Sequence, residues 1–126
     1  MNPDNRNKLR VRVVAAAEGV LARQGFVSAI DVLIGIGWLD QATLTRWKQS
    51  KLAYLEAGIH ANLSRISEAM RLFRAWATQK NLCPSETAYV AKTPPRTVLR
   101  FSKSGDATIE RLYRTHWVSQ DGAPGH

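Results

Sequence analysis

Apolar residues recur along this chain at two different periods, and the change of period divides it. Val13, Val14, Ala17, Val20 and Leu21 fall at spacings of three and four, which predicts a first helix over Lys8 to Gln24 with one apolar stripe. Gly25 is placed to end it as a C-cap. Ser28 followed by Asp31 has the form of a capping box and opens a second, short helix. Its Ile30, Val32, Leu33, Ile34 and Ile36 leave little polar face, so it should be buried, and Gly35 and Gly37 close it. Asp40 is a good N-cap for a third helix that turns Leu44 and Trp47 inward. Leu55, Ile59, Leu63, Ile66, Met70, Phe73 and Ala77 then repeat at helical spacing and predict one long helix over Ala53 to Gln79, with Gly58 as a weak point near its start.

After Pro84 the period falls to two. Thr87 to Ala91 and Thr97 to Phe101 read as two short strands joined by Lys92, Thr93, Pro94, Pro95 and Arg96. Leu99 and Phe101 should face one way, and Val98 and Arg100 the other. Ser104, Gly105 and Asp106 turn the chain into a last helix, Ala107 to about Trp117, with Ile109, Leu112, Tyr113 and His116 inward. The expected fold is mainly α with a small β-hairpin, an α+β architecture: helix-turn-helix-like helices, one long central helix, a hairpin and a C-terminal helix. A chain of 126 residues suits a single domain, ordered over about residues 8–118 with loose termini, Met1 to Asn7 and Gln120 to His126. The long seam suits the spine of a core, and it would also suit a homodimer contact. Its competition with the other apolar helices favours a weak dimer that leaves most of the seam inside the monomer.

A hydrophobic share of 44% with four Trp fits a folded globule. No apolar run approaches the roughly 18 residues needed to cross a bilayer, and Met1 to Arg12 lacks the apolar core of a secretory signal. No membrane partner is therefore expected. Cys83 is alone, which fits a reducing cytoplasm, and its plain reading is a small apolar residue.

Charge changes the picture. The net charge is +8 and the isoelectric point is near 10.3. Between Arg71 and Lys103 stand seven cations and one acid, Glu86, a formal +6 in about a quarter of the chain. Such a block attracts polyanions. The pair of helices over Ser28 to Ser50 has the outline of a helix-turn-helix unit, with Gln41, Thr43, Thr45, Arg46, Lys48 and Gln49 outward. Leu33 occupies a place where the compact repressor motif has a small residue, and an ordinary helical hairpin fits the same pattern. The expected function is nucleic-acid binding, double-stranded DNA ahead of RNA. The helix-turn-helix-like unit and the basic hairpin would carry it, with Arg46, Lys48, Lys51, Arg71, Arg74, Arg96, Arg100 and Lys103 on phosphates. The basic arm of Arg6, Lys8, Arg10 and Arg12 adds to it. Trp38, Trp47, Trp76 and Trp117 fall at core spacing, and Tyr89 is the best candidate for stacking on a base.

Two alternatives belong to other classes. Asp106, Glu110 and His116 could hold Mg²⁺ or Mn²⁺ in a nuclease if they converged. Against that, Ser104 or Asp106 can cap the last helix, Glu110 can pair with Arg114, and His116 falls off the Asp106–Glu110 face. His60 reads as a structural residue beside the seam. No phosphate-cradling loop, nucleophile elbow or Cys/His metal spacing is present, so no catalytic residue, metal or cofactor is assigned. A protein-interaction module built on the long helix is the second alternative. The segment Leu99 to Trp117, LRFSKSGDATIERLYRTHW, resembles a family of small bacterial proteins of no known activity, and Val27 to Ile59 does so more faintly. The resemblance implies a bacterial, cytoplasmic setting and brings no cofactor or partner.

Overall fold

A computed structural model describes residues 3–120. Its elements run α1 (Pro3–Gln24), β1 (Phe26–Ser28), α2 (Ala29–Gly35), α3 (Gln41–Lys48), a 3-10 turn (Leu55–Gly58), α4 (Leu63–Gln79), β2 (Cys83–Glu86), α5 (Ala107–Arg114) and β3 (Thr115–Val118). The architecture is mainly helical with a small antiparallel sheet, as the periodicity predicts. The buried side chains form one contiguous cluster.

Local signals hold where they were strongest. α1 buries Val13, Ala17 and Val20 and begins earlier than expected, so Pro3 to Asn7 are helical rather than loose. Residues 121–126 of the expected tail lie outside the described residues. Gly25 follows α1 at φ 79°, a conformation that a side chain would strain. The Ser28–Asp31 capping box forms in both directions. Asp40 caps α3 by accepting from the Thr43 amide at 2.7 Å, and Trp47 is fully buried. α1 packs against both α2 and α4. At one crossing, a Cβ added to Gly35 would stand 2.6 Å from that of Ala16, so the two backbones approach as closely as they do because Gly35 has no side chain.

The long helix is shorter than its seam. α4 starts at Leu63, capped by Asn62, whose side chain accepts from the Arg65 amide at 2.8 Å. Leu55 and Ile59 are buried, as a helical seam would require, but they sit on the 3-10 turn and the loop after it. Long-range bonds explain the difference. The Leu55 and Glu56 amides donate to the carbonyls of Arg100 and Phe101 at 3.2 and 2.9 Å, and the His60 amide donates to that of Trp38 at 2.8 Å. Those amides are committed to distant carbonyls and not to a helical ladder. Gly58 packs on Thr43, where an added Cβ would meet Cγ2 at 2.2 Å. His60 is exposed, off any helix, 4.0 Å from Asp40. Ile59, Ile66 and Phe73 are all covered by their own chain, so these positions of the seam serve the monomer core, while Leu63 is left exposed.

The sheet is the larger departure. Its order is β1-β3-β2, with β3 central and antiparallel to both neighbours: Phe26 faces Val118, and Cys83 faces Val118 from the other side. The last helix therefore stops at Arg114, and His116 and Trp117 stand on a strand. The expected hairpin is reduced to one bridge, Val90 to Val98. Flanking it, the Ala91 amide donates to Thr97 and the Leu99 amide to Tyr89, at 2.9 and 2.7 Å. Several other backbone groups of the two arms are taken elsewhere. The Phe101 and Ser102 amides donate to Glu110, and the Thr87 amide to the Arg114 carbonyl. Leu99 and Phe101 do point inward and Val98 outward. Cys83 is an exposed free thiol on β2, not a packed apolar residue.

Among the described residues, no helix is long and apolar enough to cross a membrane.

Candidate functional site

Trp47 joins α3 to the hairpin. Its indole N–H donates to the Arg100 carbonyl at 2.8 Å. Its ring lies 4.9 Å from Phe101 and 5.8 Å from Tyr89. Phe101 in turn stacks on Tyr113 of α5 at 5.2 Å. A second junction is made by backbone, the Lys92 amide donating to the Lys48 carbonyl at 2.9 Å. An aromatic column thus runs from α3 through the hairpin to α5 and holds the three together. Burial carries the column's energetics, because each ring removes a large apolar area from water and tilted or offset contacts add to it.

Two carboxylates hold the segment that leads from the hairpin into α5. Glu110 accepts from the Phe101 amide at 2.8 Å, the Ser102 amide at 2.7 Å and the Ser102 hydroxyl at 2.6 Å. Glu56 accepts from the Lys103 amide and the Tyr113 hydroxyl, both at 3.0 Å. Burial, reinforced by the negative charge of Glu56, pushes the Tyr113 hydroxyl far above its ordinary pKa, so it stays a donor. Asp106 caps α5 through the Thr108 and Ile109 amides.

These bonds remove the metal-nuclease arrangement. Asp106 and Glu110 serve backbone amides. His116 lies on β3, where its Nε2 is 2.7 Å from the Tyr89 hydroxyl and its ring stacks on Phe26 at 5.2 Å. Burial lowers the pKa of that imidazole. No group of three His, Cys, Asp or Glu able to hold a metal ion occurs among the described residues. The expected Glu110–Arg114 pair is replaced by Glu86, which binds Arg114 at 3.2 Å and Arg111 at 3.6 Å. Tyr89 is also withdrawn as a stacking platform, since Trp47, Phe101 and His116 surround it.

The eight cations expected to meet phosphate separate into two regions. Arg46, Lys48 and Lys51 lie on α3 and just beyond it, and Arg100 on the second hairpin arm; Arg96 stands at the hairpin tip with Lys92. The Trp47 and Lys48 junctions bring these two elements together. Arg100 also lies over the Tyr54 ring at 5.8 Å. Arg71, Arg74 and Lys103 instead line a groove of about 700 Å³ between α4 and the α5–β3 segment, floored by Ile66, Met70, Phe73, Tyr113 and Trp117. Arg71 is neutralised there by Glu68 in a bidentate pair at 2.5–2.7 Å, which also holds the Glu68 carboxyl below its usual pKa. Around α3 two expectations change: Thr43 is buried, and Lys48 and Gln49 are half-buried. α2 rests on α1 and β1, while α3 rests on the 3-10 turn.

The groove and the α3–hairpin junction were both hidden from sequence reasoning. The nearest signal was the odd aromatic density of Tyr89, Phe101, Tyr113 and Trp117 close to so many cations. Compared with protein-family profiles, curated proteins and solved structures, the chain finds no match.

Proposed function

We propose that the protein binds double-stranded DNA with little sequence preference, through the surface formed by α3 and the hairpin. One observation carries this reading. Arg46, Lys48, Lys51, Lys92, Arg96 and Arg100 belong to two elements locked together by Trp47, and among the described residues none of the six is in an ion pair. The carboxylates are engaged elsewhere: Glu18 with Lys80, Glu68 with Arg6 and Arg71, and Glu86 with Arg111 and Arg114. Glu56 and Glu110 hold backbone amides. Cations outside ion pairs on a rigid support, that of Arg46 offset in part by Asp40, raise the local potential and suit phosphate contacts, which position a duplex without reading its bases. Arg71, Arg74 and Lys103 are left out of this surface because they face the groove.

If about five cations engage phosphates, log affinity falls against log salt with a slope of about −4 to −5. Titration of the protein with labelled duplex DNA, duplex RNA and single strands at several salt concentrations tests it. The expected result is a shift of duplex DNA at low salt with that slope. A flat salt dependence, or no binding of any duplex at low salt, refutes the reading. Preference for RNA or single strands would redirect it.

A further inference from the structure

We propose that the groove between α4 and the α5–β3 segment is a binding site for a single-chain amphiphile with an anionic head, a free long-chain carboxylate being the simplest member. The site is separate from the α3–hairpin surface and does not rest on the DNA-binding reading.

The groove's volume, about 700 Å³, falls within the roughly 300–1,000 Å³ range of small-molecule sites. Its walls are apolar. Ile66 and Phe73 of α4 and Tyr113 of α5 form buried floor, and Leu63 and Ile109 stand at the edges, 59% and 38% exposed. Exposed apolar residues gathered on the walls of one concavity differ from apolar residues scattered singly over a surface.

Apart from the exposed Ser67 hydroxyl, the hydroxyl groups that line it are already engaged. The Tyr113 hydroxyl donates to Glu56, the Ser102 hydroxyl to Glu110 and the Thr115 hydroxyl to the Arg111 carbonyl. The Ser104 hydroxyl accepts from the Asp106 amide. Among the described residues no buried side-chain nitrogen or oxygen lacks a partner. A sugar, nucleotide or peptide backbone would bring polar groups to a floor with little left to answer them, at the desolvation cost of each. An alkyl chain brings none.

The rim selects the charge of the head. Glu68 neutralises Arg71, and Glu56, held by the Tyr113 hydroxyl and the Lys103 backbone, leaves one negative charge against the two positive charges of Arg74 and Lys103. Arg74 and the Lys103 ammonium are exposed and make no ion pair among the described residues. An anionic head is drawn to them. A second copy of this chain is disfavoured by the same rim, because two surfaces of a +8 protein would meet with like charges facing.

Isothermal titration of the intact protein with sub-micellar dodecanoate tests the proposal, with dodecyltrimethylammonium as the opposite-charge probe. Dodecanoate should saturate at one per chain, with a Kd on the order of tens of micromolar for a ligand of that size, and the ammonium probe should bind at least about tenfold more weakly. Arg74→Glu combined with Lys103→Glu should weaken dodecanoate by about tenfold or more, while Lys92→Glu at the hairpin tip leaves it within about twofold. Ser67→Trp, which places an indole in the groove, should abolish binding in a protein whose circular dichroism is unchanged. The proposal is overturned by equal affinity for both probes, by no saturable binding up to about 1 mM, or by an unaltered Kd in the double reversal. Light scattering that shows a dimer displaced by the Ser67→Trp change would assign the groove to a second copy. Binding of a synthetic Leu/Glu amphipathic helix that depends on Arg74, in the absence of dodecanoate binding, would assign it to a protein partner. Either result ends the proposal.

Discussion

Replacing Glu110 by Gln separates a structural carboxylate from a catalytic one. The two side chains are nearly isosteric, so packing is kept and hydrogen bonding changes. In the native protein one carboxylate oxygen accepts the Phe101 amide and the other accepts the Ser102 amide and hydroxyl. Gln has one oxygen and one NH2. Its best orientation keeps both Ser102 donors on the oxygen and turns the NH2 towards the Phe101 N–H, donor against donor. An unsatisfied buried amide costs about 1–3 kcal/mol, and exchanging two charge-assisted bonds for neutral ones costs about half of their strength. Glu110 is half-buried, so water offsets part of this, and the expected loss is about 2–3 kcal/mol. With a urea m-value of about 1.5 kcal/mol/M, the midpoint should fall by roughly 1.3–2 M. Urea unfolding followed by far-UV circular dichroism measures it, with EDTA and with Mn²⁺. A midpoint within about 0.3 M of the parent would refute the argument. So would a loss that appears with Mn²⁺ and vanishes in EDTA, since that is the behaviour of a metal ligand.

Gly35→Ala should destabilise by about 1–3 kcal/mol, because the new Cβ would stand 2.6 Å from that of Ala16 and force α1 and α2 apart; a thermal midpoint equal to the parent's would show that the crossing can give. The His116 imidazole is held below its ordinary pKa of 6.5 by burial, so the unfolded chain binds the proton more readily. Its contribution is therefore present above about pH 6.5 and lost on acidification through the lowered folded value. The urea midpoint should drop from about pH 7.5 to 5.5, and His116→Gln, which keeps an acceptor for the Tyr89 hydroxyl, should flatten that step; an equal drop in both proteins argues that other groups cause it. Lys48→Glu with Lys51→Glu should weaken duplex DNA and make the salt slope shallower by about 2, whereas Arg74→Glu leaves the slope nearly unchanged; the opposite ranking in fluorescence anisotropy would move the interface to the groove.

Local chemistry was legible in the sequence wherever the partners lie within a turn or two of each other. The Ser28–Asp31 box, the Asp40 and Asp106 caps, the positive φ after α1 and the apolar stripes of α1 and α4 each depend on neighbours along the chain. The mainly helical fold follows from them. Leu55 and Ile59 show where that logic ends. Their spacing matches the α4 seam, and they are buried as a seam should be. The Leu55 and Glu56 backbone is nonetheless drawn out of helix by carbonyls 45 residues later in sequence, and Ile59 closes a tight turn back to Glu56.

The candidate surfaces depended still more on distance in sequence. β1 and β3 pair residues 26–28 with 116–118, a separation at which strands of three or four residues leave no readable period. β2, Cys-Pro-Ser-Glu, is exposed throughout and looks like loop. The hairpin kept one bridge because its amides and carbonyls found Glu110, Lys48, Leu55 and Trp47. The run of seven cations was visible in the sequence, but its division was not. Which of them pair with Glu68 or Glu18, which join α3 and which face an apolar groove follow from contacts between elements. Composition and period determine how much charge and apolar surface the chain carries and which segments coil. Only tertiary packing decides where that charge goes uncompensated and where that apolar surface stays open, because pairing and burial act through space and not along the chain.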